Sequence, residues 1–421
     1  MIKKIYLLAF LFTQYLCAQD LLNHVHTGYQ GWFTAKGDNS GLDKWVHWGR
    51  GKKELSSEHL TVDMFPDLRE YNKKNLYSTS LTYSNGDTVK LFSSNDYETI
   101  DLHFKWMQEY SIDGVFLQRF LGPLKNYELK KHRDQVLKHV IKAATKYKRK
   151  VAIMYDLSGY ENIERKQNKE DFKKFIQKDW ESLNKKYDLT EQSCYMHEKQ
   201  KPVLAIWGLG FNERPFTVRY AKDVLDLFKE NPKNSSFDTY LIAGVPSYWR
   251  TLSKDSEKNP IWNKLYKSFD MLSPWSVGRY HDIKSYKNYI NNVTKEDLKI
   301  TSSNNIDYMP VVFPGFSWGN LKNESYNSIP RKGGTFLWEQ IYQTKKAGAK
   351  CIYFAMFDEV DEGTAIFKVA ENKKQVPKEG NFVTLDTDGY DLPSDWYLQL
   401  ANEASNLFNN NLPAPQKLPL K

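Results

Sequence analysis

The chain has 421 residues, 40% of them hydrophobic and 15% aromatic, and a formal net charge of +9. That is enough apolar material for a large core, and three cysteines make no disulfide framework. The positive surplus falls mostly on lysines of amphipathic patterns such as KKHRDQVLKHVIKAATKYKRK, which reads as a solvated helix surface; no recognised motif supports a nucleic-acid partner.

The N-terminus begins with a short basic stretch, MIKK, followed by the apolar run IYLLAFLF and then LCAQD. This is the layout of a secretory signal peptide over residues 1–18, with cleavage after Ala18, and it is too short for a typical membrane span. A secreted or periplasmic protein is expected. Cys17 could instead carry a lipoprotein anchor, but Gln14, Tyr15 and Leu16 are not the small residues such a site wants. No later segment approaches the length of a transmembrane helix.

Downstream, short apolar runs alternate with helical patterns. The runs are HTGYQGWF (26–33), DGVFLQRF (113–120), VAIMYD (151–156), PVLAIWG (202–208), TYLIAGVPSYW (239–249), FDMLSPW (269–275), DYMPVVFPGF (307–316) and CIYFAMFDE (351–359). Helical patterns between them include YETIDLHFKWMQEY, EDFKKFIQKDWESLNKKY, VRYAKDVLDLF and TFLWEQIYQTKKAG. Runs buried on both faces and separated by helices mark parallel βα units, and eight of them close a (β/α)8 TIM barrel. An open doubly wound sheet would want a Gly-rich phosphate turn after an early strand, and none is present. Residues 34–100 exceed the plan and predict a long first βα loop containing a hairpin. Residues 19–421 are expected to form one domain with a peripheral tail after about 371, and SDWYLQLANEASNLF suggests one last helix within it.

In such a barrel, function gathers where strands end. The ends carry Tyr29 and Gln30, then Gln118 and Arg119, then Tyr155 and Asp156. Trp207, Trp249, Trp275 and Trp318 follow, and the last run leads into FDEVDEGTAIF, with Asp358, Glu359, Asp361 and Glu362. Aromatic faces stack on sugar rings, and a pair of carboxyl groups cleaves a glycosidic bond, one protonating the leaving oxygen. Crowding and burial raise one carboxyl pKa above its neighbour's. Glu359 and Glu362 are therefore the candidate catalytic pair, and the other strand-end residues, with Asp358 and Asp361, the candidate sugar contacts. A barrel that binds sugar without cleaving it is the rival reading. A calcium loop would need a ligand where Val360 stands. His24, His26 and His47 raise a zinc reading that no HExxH spacing supports. No metal and no cofactor are expected.

The segment FDEVDEGTAI resembles the strand-eight motif of glycoside hydrolase family 99, the endo-α-mannosidase type, roughly F-N-E-W-H-E-G-T-Q-I. Both glutamates, the Gly-Thr and the Ile align without gaps. DYMPVVFPGFSW and VAIMYDLSGY are similar to the family's pieces before its last helix and at strand three, and related family 71 shares the broader pattern. The resemblance covers roughly residues 150–370. It implies a retaining (β/α)8 glycosidase for α-linked sugar, in which the substrate's own 2-hydroxyl attacks, Glu359 is the base and Glu362 the acid. Asp358, Val360 and Asp361 stand where the family has Asn, Trp and His. Phe316 replaces its Tyr, and its Arg-Pro-Trp-Asn segment is not evident after Trp318.

Overall fold

In the computed structural model, which describes residues 19–160, 171–214 and 217–420, the apolar runs become the staves of a barrel. Residues 1–18, which hold the expected signal peptide and Cys17, lie outside the described residues. The strands are β1 (Val25–Tyr29), β2 (Gly114–Phe120), β3 (Lys150–Asp156), β4 (Lys201–Trp207), β5 (Tyr240–Pro246), β6 (Met271–Trp275), a divided β7 (Asp307–Tyr308 and Val311–Val312) and β8 (Ile352–Phe354). All neighbouring staves run parallel. The first piece of β7 pairs with β6 and the second with β8, so the ring closes across Met309 and Pro310. Proline has no N–H for a ladder bond, which accounts for the division. The Pro310 carbonyl still accepts the Tyr353 N–H at 3.0 Å.

Side chains alternate across each strand, so each run feeds two cores. Phe116, Met154, Ala205, Ile242 and Tyr353 fill the barrel interior. Their sequence neighbours Val115, Ile153, Leu204, Leu241 and Phe354 face outward to the helices. This is why the runs read as continuously apolar. Helix α1 (Tyr97–Glu109) buries Ile100, Phe104 and Met107 at helical spacing. Helix α2 (Tyr127–Tyr147) starts where the Asn126 side chain accepts the Leu129 N–H, and α3 (Phe172–Tyr187) follows β3.

The long first loop carries the expected hairpin, Leu76–Thr82 against Thr88–Phe92, turning at Asn85 and Gly86. The helix Trp396–Asn409 packs Trp396, Leu400, Ala404 and Phe408 into the outer core, against β1 and the helix Thr335–Lys346. It takes the place of the eighth barrel helix, while the stretch from 371 to the helix alternates buried and exposed residues and the residues after it are mostly exposed. Cys194 and Cys351 are buried and unpaired. Among the described residues no helix is long and apolar enough to cross a membrane.

Candidate functional site

The acidic loop after β8 is built from the main chain outward. Residues 357–367 fold back on themselves: the Thr364 and Ala365 N–H groups reach the Glu359 carbonyl, and Ile366 N–H reaches that of Met356. Three neighbours then hold the loop. The Gly28 carbonyl on β1 accepts the Phe357 N–H at 2.8 Å. The Val360 carbonyl accepts the N–H groups of Asp63 and Met64 from the first loop. Ser317, after β7, donates its N–H to the Glu362 carbonyl at 2.9 Å.

The four carboxylates leave this scaffold in different directions. Asp358 turns back to β1, where the Gln30 and Gly31 N–H groups donate to its two oxygens at 2.8 and 2.9 Å. Asp361 turns toward the first loop, its Oδ2 lying 3.3 Å from His47 Nδ1. Burial, then the charge of Arg133, keep His47 neutral, so this contact is a hydrogen bond from the Nδ1–H tautomer, not an ion pair. His47 stacks flat on Trp32, ring centroids 3.6 Å apart. Glu359 and Glu362 line the cleft at the mouth of the barrel, which has a volume of about 630 Å³. Glu359 accepts from the Gln30 amide at 2.9 Å and the Thr364 hydroxyl at 3.2 Å.

All four groups resist ionisation. Burial holds Glu359 well above the usual carboxylate range, reinforced by the charges of Glu362, Asp361 and Asp358. Burial and then Asp361 push Glu362 up to about 7. The Trp318 indole N–H lies close enough to oppose that rise without forming a well-aligned hydrogen bond. Burial raises Asp358 to about 7 against its two main-chain donors, and raises Asp361 to about 7. Like charges this close and this dry cannot all ionise, so the loop holds protons near neutral pH.

Gln30, Gln118, Asp156, Trp207, Trp275 and Trp318 join the glutamates around the cleft. The register explains part of this, because Phe120, Asp156, Trp207 and Gly244 are cross-strand partners at one level of the barrel. Gly244 makes room there: a Cβ on it would stand 2.4 Å from the Trp207 ring. Trp275 meets Trp207 edge to face at 5.4 Å.

Six expected contacts are elsewhere. Tyr29 points outward and bonds His103 Nδ1 at 2.8 Å. Arg119 also points outward, its Nε donating to Asp179 on α3 at 2.6 Å and its Nη2 to Asp134 on α2 at 2.8 Å. Tyr155 donates to the same Asp179 at 2.8 Å. Strand alternation sends these three to the helices. Trp249 lies past the end of β5, and its indole donates to buried Asp297 at 3.0 Å. Asp358 and Asp361 brace the loop, as described, and do not line the cleft.

No protein-family model matches the chain, and no curated protein matches it in sequence. Solved structures do match in shape. The family 99 endo-α-mannosidase of Bacteroides thetaiotaomicron superposes with a TM-score of 0.64 at 14% identity, over 93% of this chain and 98% of that one. The same enzyme with bis-tris-propane bound gives the same values. A glycoside hydrolase-like protein follows at a TM-score of 0.51 and 14% identity, over 80% of this chain and 91% of that one. The chain shares the fold of a family 99 glycoside hydrolase.

In this family 99-like barrel, several cleft residues fall in places the sequence reading passed over. Arg214, Arg279, His281 and Glu324 line the cleft from the loops after β4, β6 and β7. Their only signal was position, a charged residue a few places beyond a strand end. Asp63 is a second omission. Its carboxylate accepts the Gly319 and Asn320 N–H groups, both at 2.6 Å, and the Ser317 hydroxyl, so a residue of the first loop fixes the turn that carries Trp318. Nothing near Asp63 in sequence points to that partner, more than 250 residues away. Among the described residues no group of three or more His, Cys, Asp or Glu side chains is arranged to hold a metal ion.

Proposed function

We infer that the protein is an exported glycoside hydrolase that cleaves α-linked sugars in oligo- or polysaccharides with retention. The observation that carries this reading is the pairing of Glu359 and Glu362 in one aromatic cleft, on one rigid loop, with pKa values raised by burial and mutual repulsion. The α-linkage and retention rest on the strand-eight resemblance and on the shared fold of an endo-α-mannosidase.

Glu362 is half-buried at the rim and raised to about 7, suited to protonate the departing glycosidic oxygen near neutral pH. Glu359 lies deeper. Burial and the neighbouring carboxylates hold it well above the usual carboxylate range, which makes it a strong base once ionised. Gln30 and Thr364 donate to that ionised form as it takes the proton from the sugar 2-hydroxyl attacking the anomeric carbon. In the second half Glu362 takes a proton from the incoming water while Glu359 returns one to the 2-oxygen. Two displacements at one carbon give retention. Trp207, Trp275 and Trp318 supply faces for the rings on either side of the bond.

A barrel that only bound sugar would gain nothing from carboxylates buried against one another, which cost stability wherever they lack partners. The test is a screen of the mature protein against α-linked oligosaccharides, with the released anomer followed by NMR. Glu359→Gln and Glu362→Gln are each expected to cut turnover at least about a hundredfold while thermal unfolding stays close to wild type. Full activity in either variant removes the assignment.

A further inference from the structure

One cation in the cleft is built in rather than displayed. Arg214, on the loop after β4, has a side chain only 15% exposed. Its guanidinium lies over Trp207 and Phe211, the central carbon 5.2 and 5.7 Å from the two ring centroids. Nη2 donates to the Ser158 hydroxyl at 3.1 Å. Nη1 is buried and has no hydrogen-bond partner among the described residues. The berth depends on Gly208, where a Cβ would stand 2.6 Å from Nη1 and where φ is +105°. The carboxylate within ion-pair range, Glu213 at 3.9 Å, is itself 69% exposed and does not neutralise the buried edge.

Arg279 approaches the same cleft from the loop after β6, near His281. Its Nε donates to Asp255 at 2.7 Å, and it is about one-third exposed. The carboxylates of the cleft enter mainly from β3 and from the loops after β7 and β8, as Asp156, Glu324, Glu359 and Glu362. The glutamate pair thus enters from the loop after β8, and Arg214 from the loop after β4 across the barrel, beside the Trp207 platform, where Asp156 and the exposed Glu213 also line the cleft.

A desolvated guanidinium with a donor left open is costly unless a ligand completes it. A sugar hydroxyl could be met by an amide, as Gln30 and Gln118 are placed to do. The planar fork of arginine instead fits two oxygens of one anion. We propose that the cleft takes a glycan bearing an anionic group, a uronate carboxylate or a sulfate ester, and that Arg214 reads it from the ring stacked on Trp207. This rests on the reading of the cleft as a sugar site, and makes the substrate class of that site acidic.

The test reads binding, not turnover. Quenching of tryptophan fluorescence, with Trp207 and Trp275 in the cleft as reporters, would compare D-glucuronate with D-glucose and D-galactose 6-sulfate with D-galactose. The expected result is an affinity at least about tenfold higher for one or both charged sugars than for the neutral parent, weakening with added salt. That advantage should vanish in Arg214→Met, which keeps the apolar contact with the rings, and fall partway in Arg214→Lys, which keeps the charge and loses the fork. Preference in the uronate pair alone identifies a carboxylate, and in the sulfate pair alone a sulfate ester. Two results overturn the proposal: no preference in either pair, or a preference that survives in Arg214→Met with the fold intact by thermal unfolding. Should Arg214→Met fail to fold, Arg214→Lys decides: a partial loss of the preference supports the proposal, and an undiminished preference overturns it. A charge preference without any hydrolysis of α-linked glycans would remove the glycosidase reading and leave this one. Hydrolysis without charge preference would do the reverse.

Discussion

Five pairs of adjacent residues at the strand ends part company. Gln30, Gln118, Asp156, Glu359 and Glu362 line the cleft, while Tyr29, Arg119, Tyr155, Asp358 and Asp361 hold the frame behind it. Both sides are polar and hydrogen-bonding, and aspartates occur on each, so polarity alone does not sort them. In β1, β2 and β3 the pleat does, turning one neighbour to the barrel axis and the next to the helices. In the loop after β8 the main-chain bonds do, sending Asp358 to two N–H groups on β1 and leaving Glu359 for the cleft. A carboxylate that accepts two main-chain N–H groups is part of the wall. One that accepts an amide and a hydroxyl side chain, with its remaining face toward a cleft, is available for chemistry.

Mutating both members of a pair tests that division. Arg119→Ala is expected to have the largest effect on stability, about 3–5 kcal/mol, because it leaves Asp179 buried with only the longer contact from Lys130, at 3.5 Å, in place of the guanidinium. Gln118→Ala, one residue away, should cost about 1 kcal/mol for the lost bond to the Tyr353 hydroxyl and should chiefly weaken substrate binding. Urea unfolding checks the first number and KM the second. Equal destabilisation by the two would mean that the pleat does not divide frame from cleft at β2.

The pair Asp358 and Glu359 is expected to show a smaller contrast in stability. Asp358→Asn replaces an acceptor by an amide that cannot accept one of the two main-chain N–H groups, at a cost of about 1–3 kcal/mol. Its turnover per folded molecule should remain near wild type, whereas Glu359→Gln should lose turnover and keep its unfolding midpoint. An inactive but fully stable Asp358→Asn would put Asp358 on the chemical side of the loop.

The barrel itself was legible because eight runs and their intervening helices each carry a periodic apolar signal, and the strand-eight motif placed both glutamates. Which neighbour at a strand end faces inward was less so. DGVFLQRF and VAIMYD are apolar on both faces, so the alternation that any strand has gives two equivalent answers without a known inward residue. Trp249 fell outside any such rule, since it sits beyond the last paired residue of β5. Asp63 was illegible for a different reason: its partners are far away in sequence, and a lone aspartate in a long loop looks like any turn residue. Arg214 was hidden in the same way, since its burial depends on Gly208, Trp207 and Phe211 packing around it.

The pair Asp361 and Glu362 should differ least in fold and most in response to pH. Burial raises the Asp361 carboxyl from its ordinary 3.8 to about 7, so between those values the folded chain binds a proton that the unfolded chain has released. Stability from this group is therefore greatest at low pH within that window and is lost as pH rises through 7. Asp361→Asn removes the titration while its side-chain oxygen can still accept from His47. The gain of the variant over wild type should grow with pH, from about 1–2 kcal/mol at pH 5 to about 4 kcal/mol at pH 8, as read from urea unfolding at the two values. Removing this charge should also shift the high-pH limb of the activity profile downward, because Asp361 is the leading charge that raises Glu362. If the limb stays in place while the stability difference appears, Asp361 belongs to the frame alone, and the proton on Glu362 is held by burial rather than by its neighbour.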